Sequence, residues 1–176
     1  NNNQKFKKSI SQFNYDIIHN KYFTQILNTK NPQHIMALLP INQTEPLVIS
    51  GQNILILDNI ADPGNMGSLL RSAAWYGINT VICSEECVDI YNPKVIRSGM
   101  GAHFYIPNIL KRSLVEIIVT LKKQKYNIIA ATLDGTSHAE TDIIDGPWGL
   151  ILGSEAHGIS KELYKVIDQQ ISIPQG

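Results

Sequence analysis

Arg71, on a helical pattern opened by a turn and the cap candidate Asn65, is the side chain of this sequence whose type and neighbours best suit an anionic ligand, and a second strand-to-helix junction carries Glu155. The first two lie in Asp58-Asn59-Ile60-Ala61-Asp62-Pro63-Gly64-Asn65-Met66-Gly67-Ser68-Leu69-Leu70-Arg71, where a turn runs into a helical pattern. Pro63 presets φ, Gly64 can take φ > 0, and Asn65 suits the N-cap of the helix that follows. A helix N-terminus offers free N–H groups and a positive dipole end, a natural seat for a phosphate or other anion. Arg71 projects about 120° from the centre of the apolar stripe, and Gly67 at i−4 leaves the approach to its guanidinium uncrowded. An off-core arginine alone reads as a solvated charge; turn, cap, glycine and arginine together point to function.

Glu155 lies in Gly149-Leu150-Ile151-Leu152-Gly153-Ser154-Glu155-Ala156-His157-Gly158-Ile159-Ser160, an apolar strand that runs straight into a turn. Gly153 and Gly158 permit close backbone approach to a flat ligand and unusual φ/ψ. A nucleophile elbow is excluded because the G-x-S-x-G spacing is absent. The chain also lacks G-x-G-x-x-G and G-x4-G-K-[ST], so the dinucleotide fingerprint and the P-loop both fail. His157 by itself reads as structural or solvent-facing.

These loops need a scaffold. Asn53 to Asp58, Thr80 to Cys83, Asn127 to Leu133, Gly149 to Leu152 and Gln170 to Ile173 read as strands, mostly continuous apolar runs of the kind buried in parallel sheets. Between them, Met66, Leu69, Leu70, Ala73 and Ala74 form one apolar stripe over Asn65 to Tyr76, stopped by Gly77. A second helix fits Ser113 to Tyr126, with Ser113 and Glu116 as a capping box. A third fits Ser160 to Asp168, capped by Ser160. The alternation predicts an α/β fold, a largely parallel sheet with helices on both faces. Ligands of such sheets bind beyond the carboxyl ends of strands, where both loops lie.

Residues 1–50 are polar, rich in Asn and Gln, and read as a peripheral segment with a short helix around Tyr22 to Leu27 and a strand around His34 to Leu39. The basic run Lys5 to Lys8 is either an RNA contact or a solvated end. Residues 51–176 form the main domain. The 176 residues carry 15 Lys+Arg against 15 Asp+Glu, so no global field draws the protein to a polyanion and any nucleic-acid site is a local patch. Cys83 and Cys87 lack the partner pair that a structural zinc needs and read as two semi-buried thiols, with no metal expected. No apolar run reaches the length of a membrane span, and Asn1 to Lys8 lacks a secretory apolar run, so a cytoplasmic location is expected. Both ends read as cut.

Together the two loops resemble the SpoU group of RNA ribose 2′-O-methyltransferases, in the SPOUT superfamily of knotted enzymes. The first family motif resembles Asn59 to Ala73, the second Leu152-Gly153-Ser154-Glu155-x-x-Gly158, and the third begins like Ile171-Ser172-Ile173-Pro174; the likeness covers about Gln52 to Gly176. Asn28 to Leu39 is similar to the segment that joins a small RNA-binding domain to the catalytic domain in larger members, so residues 1–50 are expected to be a remnant of, or linker from, such a domain.

The resemblance implies a C-terminal trefoil knot, a homodimer packed through the knot region, and S-adenosylmethionine as cofactor. It implies cofactor contacts at Gly153, Ile173, Thr132 and Leu133, and catalytic roles for Arg71, Asn65 and Glu155. The family's third motif continues past Pro174, where this sequence is about to end. The implied reaction is methyl transfer to a ribose 2′-hydroxyl, of ribosomal RNA in preference to transfer RNA. An arginine is a poor base, so Arg71 is expected to hold the 2′-oxygen and an adjoining phosphate by its donor fork. The alternatives are a non-catalytic RNA-binding member with a vestigial pocket, and a flavodoxin-like nucleotide binder.

Overall fold

The computed structural model describes residues 8–26, 35–41, 53–137 and 145–173. The chain divides into two compact units, Asn1–Gln43 and Thr44–Gly176. In the first, helix α1 (Asn20–Ile26) forms where a helix is expected and buries only Phe23. The strand expected at His34 to Leu39 does not form: residues 35–41 have no regular structure, and Leu38 is 96% exposed. A strand needs a neighbour for its N–H and C=O groups, and none pairs with this segment among the described residues. His34, Leu27, and Lys5 to Lys7 of the basic run lie outside them.

Among the described residues the second unit is built on six parallel strands. In chain order these are β1 (Ile54–Leu57), β2 (Thr80–Cys83), β3 (Asn108–Lys111), β4 (Asn127–Ser137), β5 (Trp148–Leu152) and β6 (Gln169–Ser172). They lie side by side as β3-β2-β1-β5-β4-β6. All four residues of β1 and of β2 are buried, which is why these strands are unbroken apolar runs rather than alternating ones. Successive β1 side chains serve opposite faces. Leu55 and Leu57 pack with Met66, Leu70 and Ala73 of α2 (Pro63–Trp75) and Val95 of α3 (Pro93–Gly99). Ile54 and Ile56 pack with Ile118 and Leu121 of α4 (Leu114–Lys123). The expected parallel sheet with helices on both faces is therefore what the chain builds.

Several local expectations are corrected. The α2 N-cap is Asp62, not Asn65: the Asp62 carboxylate accepts from the Asn65 backbone N–H at 2.8 Å, and Pro63 opens the helix. Proline costs nothing at that position, since its missing N–H would have no helical partner. Ser113 occupies the α4 cap position, but its side chain makes no capping bond. The helix expected from Ser160 to Asp168 is a single 3₁₀ turn, Leu163–Lys165. Asp168 ends it, because its backbone N–H donates to Ile128 O at 2.8 Å and its carboxylate accepts from Ile128 N at 2.9 Å, which draws the chain into β6. Helix α3 and strand β3 were not expected at all.

The order of strands reverses between β1 and β5, and the carboxyl ends of these two neighbours carry the two loops singled out from sequence. Such a switch point is where open α/β sheets place ligands.

Candidate functional site

The loop from β1 to α2 and the loop after β5 meet at one cleft of about 460 Å³, lined by Ile60, Ala61, Asp62, Asn65, Leu69, Leu152, Gly153 and Glu155 among others. Asn65 Nδ2 donates to Glu155 Oε1 at 2.7 Å across it. The displaced cap explains this contact. With Asp62 capping, Asn65 stands on the third helical residue and its side chain is free to reach the opposite loop.

Asp62 is held from two sides. The Asn65 N–H is the largest cause of a fall of its carboxyl below the ordinary value of 3.8, opposed by desolvation and helped by Gly64 N–H and Lys94. Lys94 Nζ of α3 lies 3.7 Å from Asp62 Oδ2; both groups are well exposed, so this ion pair contributes little by itself. Ser98, also on α3, reaches the Pro63 carbonyl with its Oγ at 3.0 Å.

Gly67 has a different use from the one expected. A Cβ there would run into Ser98 Oγ and would meet Gly99 N and Val95 O at 2.7 Å. Gly67 is buried and lets α2 and α3 touch backbone to backbone; it does not serve to clear a path to Arg71. Arg71 is exposed on α2 and makes no hydrogen bond or ion pair among the described residues.

The loop after β5 is closed on itself. Gly158 N donates to Ser154 O at 2.7 Å, the two residues form an antiparallel bridge, and Gly158 sits at φ +68°. A Cβ on Gly153 would collide with the Gly158 backbone and meet Ile159 N at 2.6 Å. The two glycines therefore approach each other, rather than only leaving room for a ligand. His157 is exposed, as expected.

The remaining residues singled out lie at the adjoining strand ends. Strand β4 leaves its pairing with β6 after Ala131 and resumes it at Thr136, with both residues opposite Ile171, so residues 132–135 bulge outward. Thr132 and Gly153 each lie two residues past the last β4–β5 pair, Ala130 with Ile151. Ile173 lies two residues past Ile171. Leu133 is 90% and Ile173 79% exposed, unusual for such side chains beside a parallel sheet. Gly135 allows the bulge to close, since a Cβ there would meet Ile171 O at 2.7 Å. The structure thus brings Asn65, Glu155 and Gly153 to the cleft, while Arg71, Thr132, Leu133 and Ile173 do not line it. Pro174 lies outside the described residues.

Cys83 and Cys87 are both buried thiols. The neighbouring Cys87 thiol, together with burial, pushes Cys83 far above the ordinary thiol range. Among the described residues no group of three His, Cys, Asp or Glu side chains is placed to hold a metal ion, and no helix is long and apolar enough to cross a membrane.

The capping role of Asp62 and the contact of Ser98 with the start of α2 are what sequence reasoning missed. For Asp62 the signal was present: Asp before Pro is the pattern of a cap followed by the first helical residue.

Comparison with known proteins gives a consistent result. The model of the SpoU rRNA methylase family matches residues 52–176. A 23S rRNA (guanosine(2553)-2′-O)-methyltransferase, RlmP, of Bacillus subtilis is 27% identical over 152 residues, 86% of this chain and 60% of the relative. A TrmH-family protein from Porphyromonas gingivalis superposes with a TM-score of 0.75 at 30% identity, covering 88% of this chain and 62% of that one. An AdoMet-bound rRNA methyltransferase from Sinorhizobium meliloti does so with a TM-score of 0.71 at 25% identity, covering 90% and 62%. The chain spans about three-fifths of the length of these relatives.

Proposed function

Because the chain belongs to the SpoU rRNA methylase family, we propose that it transfers a methyl group from S-adenosylmethionine to a ribose 2′-hydroxyl of RNA. The observation that carries this is the Asn65–Glu155 hydrogen bond, which joins the two loops over one cleft at the switch point of the sheet. Ribosomal RNA is the substrate we propose, a reading supported by the activity named for the RlmP relative.

The strand ends fit such a cofactor. The ends of β5, β4 and β6 are neighbours in the sheet, and they offer a glycine turn, an outward bulge and two exposed apolar side chains, surfaces suited to a flat adenine. Gly153, Thr132, Leu133 and Ile173 would hold it. S-adenosylmethionine, when bound, supplies an electrophilic methyl carbon on its sulfonium sulfur.

The protein's part is mainly alignment, because an in-line displacement depends on where the attacking oxygen is held. A guanidinium stays protonated, with a pKa above about 12, so Arg71 grips the 2′-oxygen and a neighbouring phosphate and stabilises developing negative charge. The hydroxyl proton leaves to a phosphate oxygen or to water. Asn65 fixes the orientation of the Glu155 carboxylate.

A homodimer, the trefoil knot, a cytoplasmic location and an RNA-binding origin for residues 1–50 belong to the same proposal. Exposed Trp75, Tyr76, Met100 and Phe104 support the first, as apolar surface that a second copy would cover.

The test is incubation of the full-length protein with S-adenosylmethionine and RNA from cells lacking the gene, followed by mapping of ribose methylation. Methyl gain at one 2′-oxygen is the expected result. Absence of both cofactor binding and methyl gain overturns the assignment.

A further inference from the structure

Asp58 and Asn59, the first two residues after β1, root both loops of the site. The near foot of the β5 loop rests on Asp58, whose backbone N–H donates to Leu152 O at 2.9 Å. The far foot rests on the same pair: Ser160 N donates to Asp58 Oδ2 at 2.7 Å, and Asn59 Nδ2 donates to Ser160 Oγ at 3.0 Å. Asp58 is 2% exposed, and a side chain so buried needs hydrogen-bond partners, which Ser160 N and Asn59 Nδ2 supply.

Asn59 is also one of three non-glycine residues with positive φ among those described, at +56°. Asparagine tolerates this left-handed region better than most side chains. The turn aims its amide at Ser160 while its backbone N–H donates to Ser84 Oγ at 3.1 Å. Neither Asp58 nor Asn59 lines the Asn65–Glu155 cleft. Their contacts instead close the base of the 153–160 loop, whose tip carries Glu155.

We propose that Asp58 and Asn59 act as a positioning clamp that fixes the 153–160 loop against the N-terminal turn of α2, and so holds Glu155 at hydrogen-bonding distance from Asn65. The inference rests on the methyltransferase assignment for its catalytic consequence alone; the clamp itself is built from this chain's own residues.

The test uses the full-length protein and has two arms. Asn59→Gly keeps the left-handed backbone accessible and removes the side chain with its bonds to Ser160 and Asp58, and Ser160→Ala removes only the partner hydroxyl. In the first arm, hydrogen exchange of the unliganded protein is expected to speed up about fivefold at the amides of Gly158 and Ser160 in both variants, with β1 and β2 unchanged. Unchanged exchange at those amides overturns the clamp whatever the protein catalyses. In the second arm, Asn59→Gly is expected to lower kcat about tenfold, and combining it with Glu155→Gln is expected to cost no more than Glu155→Gln alone, the non-additivity of residues acting through one another. Multiplying losses would show that Asn59 does not act through Glu155 and would overturn that part. If wild-type protein transfers no methyl group, the function assignment fails, while the exchange arm still decides the clamp.

Discussion

Asn65 and Glu155, 90 residues apart in sequence, share a 2.7 Å hydrogen bond across the cleft. Replacing Asn65 with Asp would set a second carboxylate against Glu155 in place of a donor. Asn65→Asp is therefore expected to lower methyl transfer by roughly a hundredfold, on the scale of a misplaced active-site group. Asn65→Ala, which removes the donor without adding repulsion, should fall less. Steady-state kinetics of the two variants check the order.

Arg71→Lys retains the charge and loses the planar fork. A marked loss of kcat is expected, with the dissociation constant for S-adenosylmethionine unchanged within twofold. Isothermal titration beside single-turnover rates separates the two; near-wild-type turnover would remove Arg71 from its assigned role.

Gly67→Ala is expected to destabilise the fold, although alanine favours helix by about 1 kcal/mol. The added methyl would meet Gly99 N and Val95 O at 2.7 Å, and both are backbone atoms that cannot swing aside. Overpacking of this kind costs about 1–3 kcal/mol. Urea unfolding of Gly67→Ala beside the exposed control Ser72→Ala measures the difference.

Asp62 gives the protein an acid-sensitive cap. Its carboxyl is held below the ordinary value of 3.8, chiefly by the Asn65 N–H. The stabilisation is therefore complete above that ordinary value and is lost as pH falls through the lower folded value. Asn caps as well as Asp without titrating. Melting temperatures measured from pH 7 to pH 3 should fall less steeply for Asp62→Asn than for the native protein, and parallel curves would contradict the assignment of this cap.

Cys83 should resist alkylation in the folded state. It is fully buried, and the Cys87 thiol and burial both keep it protonated, while thiolate is the reactive form. Iodoacetamide labelling at pH 8, resolved by peptide mass, is expected to modify Cys83 at least a hundredfold faster in urea than in buffer.

The strands most readable from sequence were those buried on both faces, because β1 and β2 are runs of aliphatic residues with no polar interruption. Strand β3 escaped notice because Asn108 and Lys111 flank only two apolar residues, and its pairing with β2 supplies what its own pattern lacks. Helix α3 escaped because Val95, Ile96 and Gly99 are weak helix formers; packing against Gly67 and the Asn92 cap hold it instead. In the site, the two loops could be found from their residue types, whereas the bond between Asn65 and Glu155 could not, since it depends on a helix that starts at Pro63 rather than two residues later. The roles of Asp58 and Asn59 were hidden for a similar reason: their partner, Ser160, is distant in sequence and was read as a helix cap.

The central pairing of Ile54 with Gly149 bears on how this protein is made. A ribosome must release the chain past Gly149 before the middle of the sheet can zip shut, and until then β1 offers one bare, greasy edge to any passing strand. Closing so distant a pair is slow, and that interval is the stretch of the protein's life in which aggregation competes with folding.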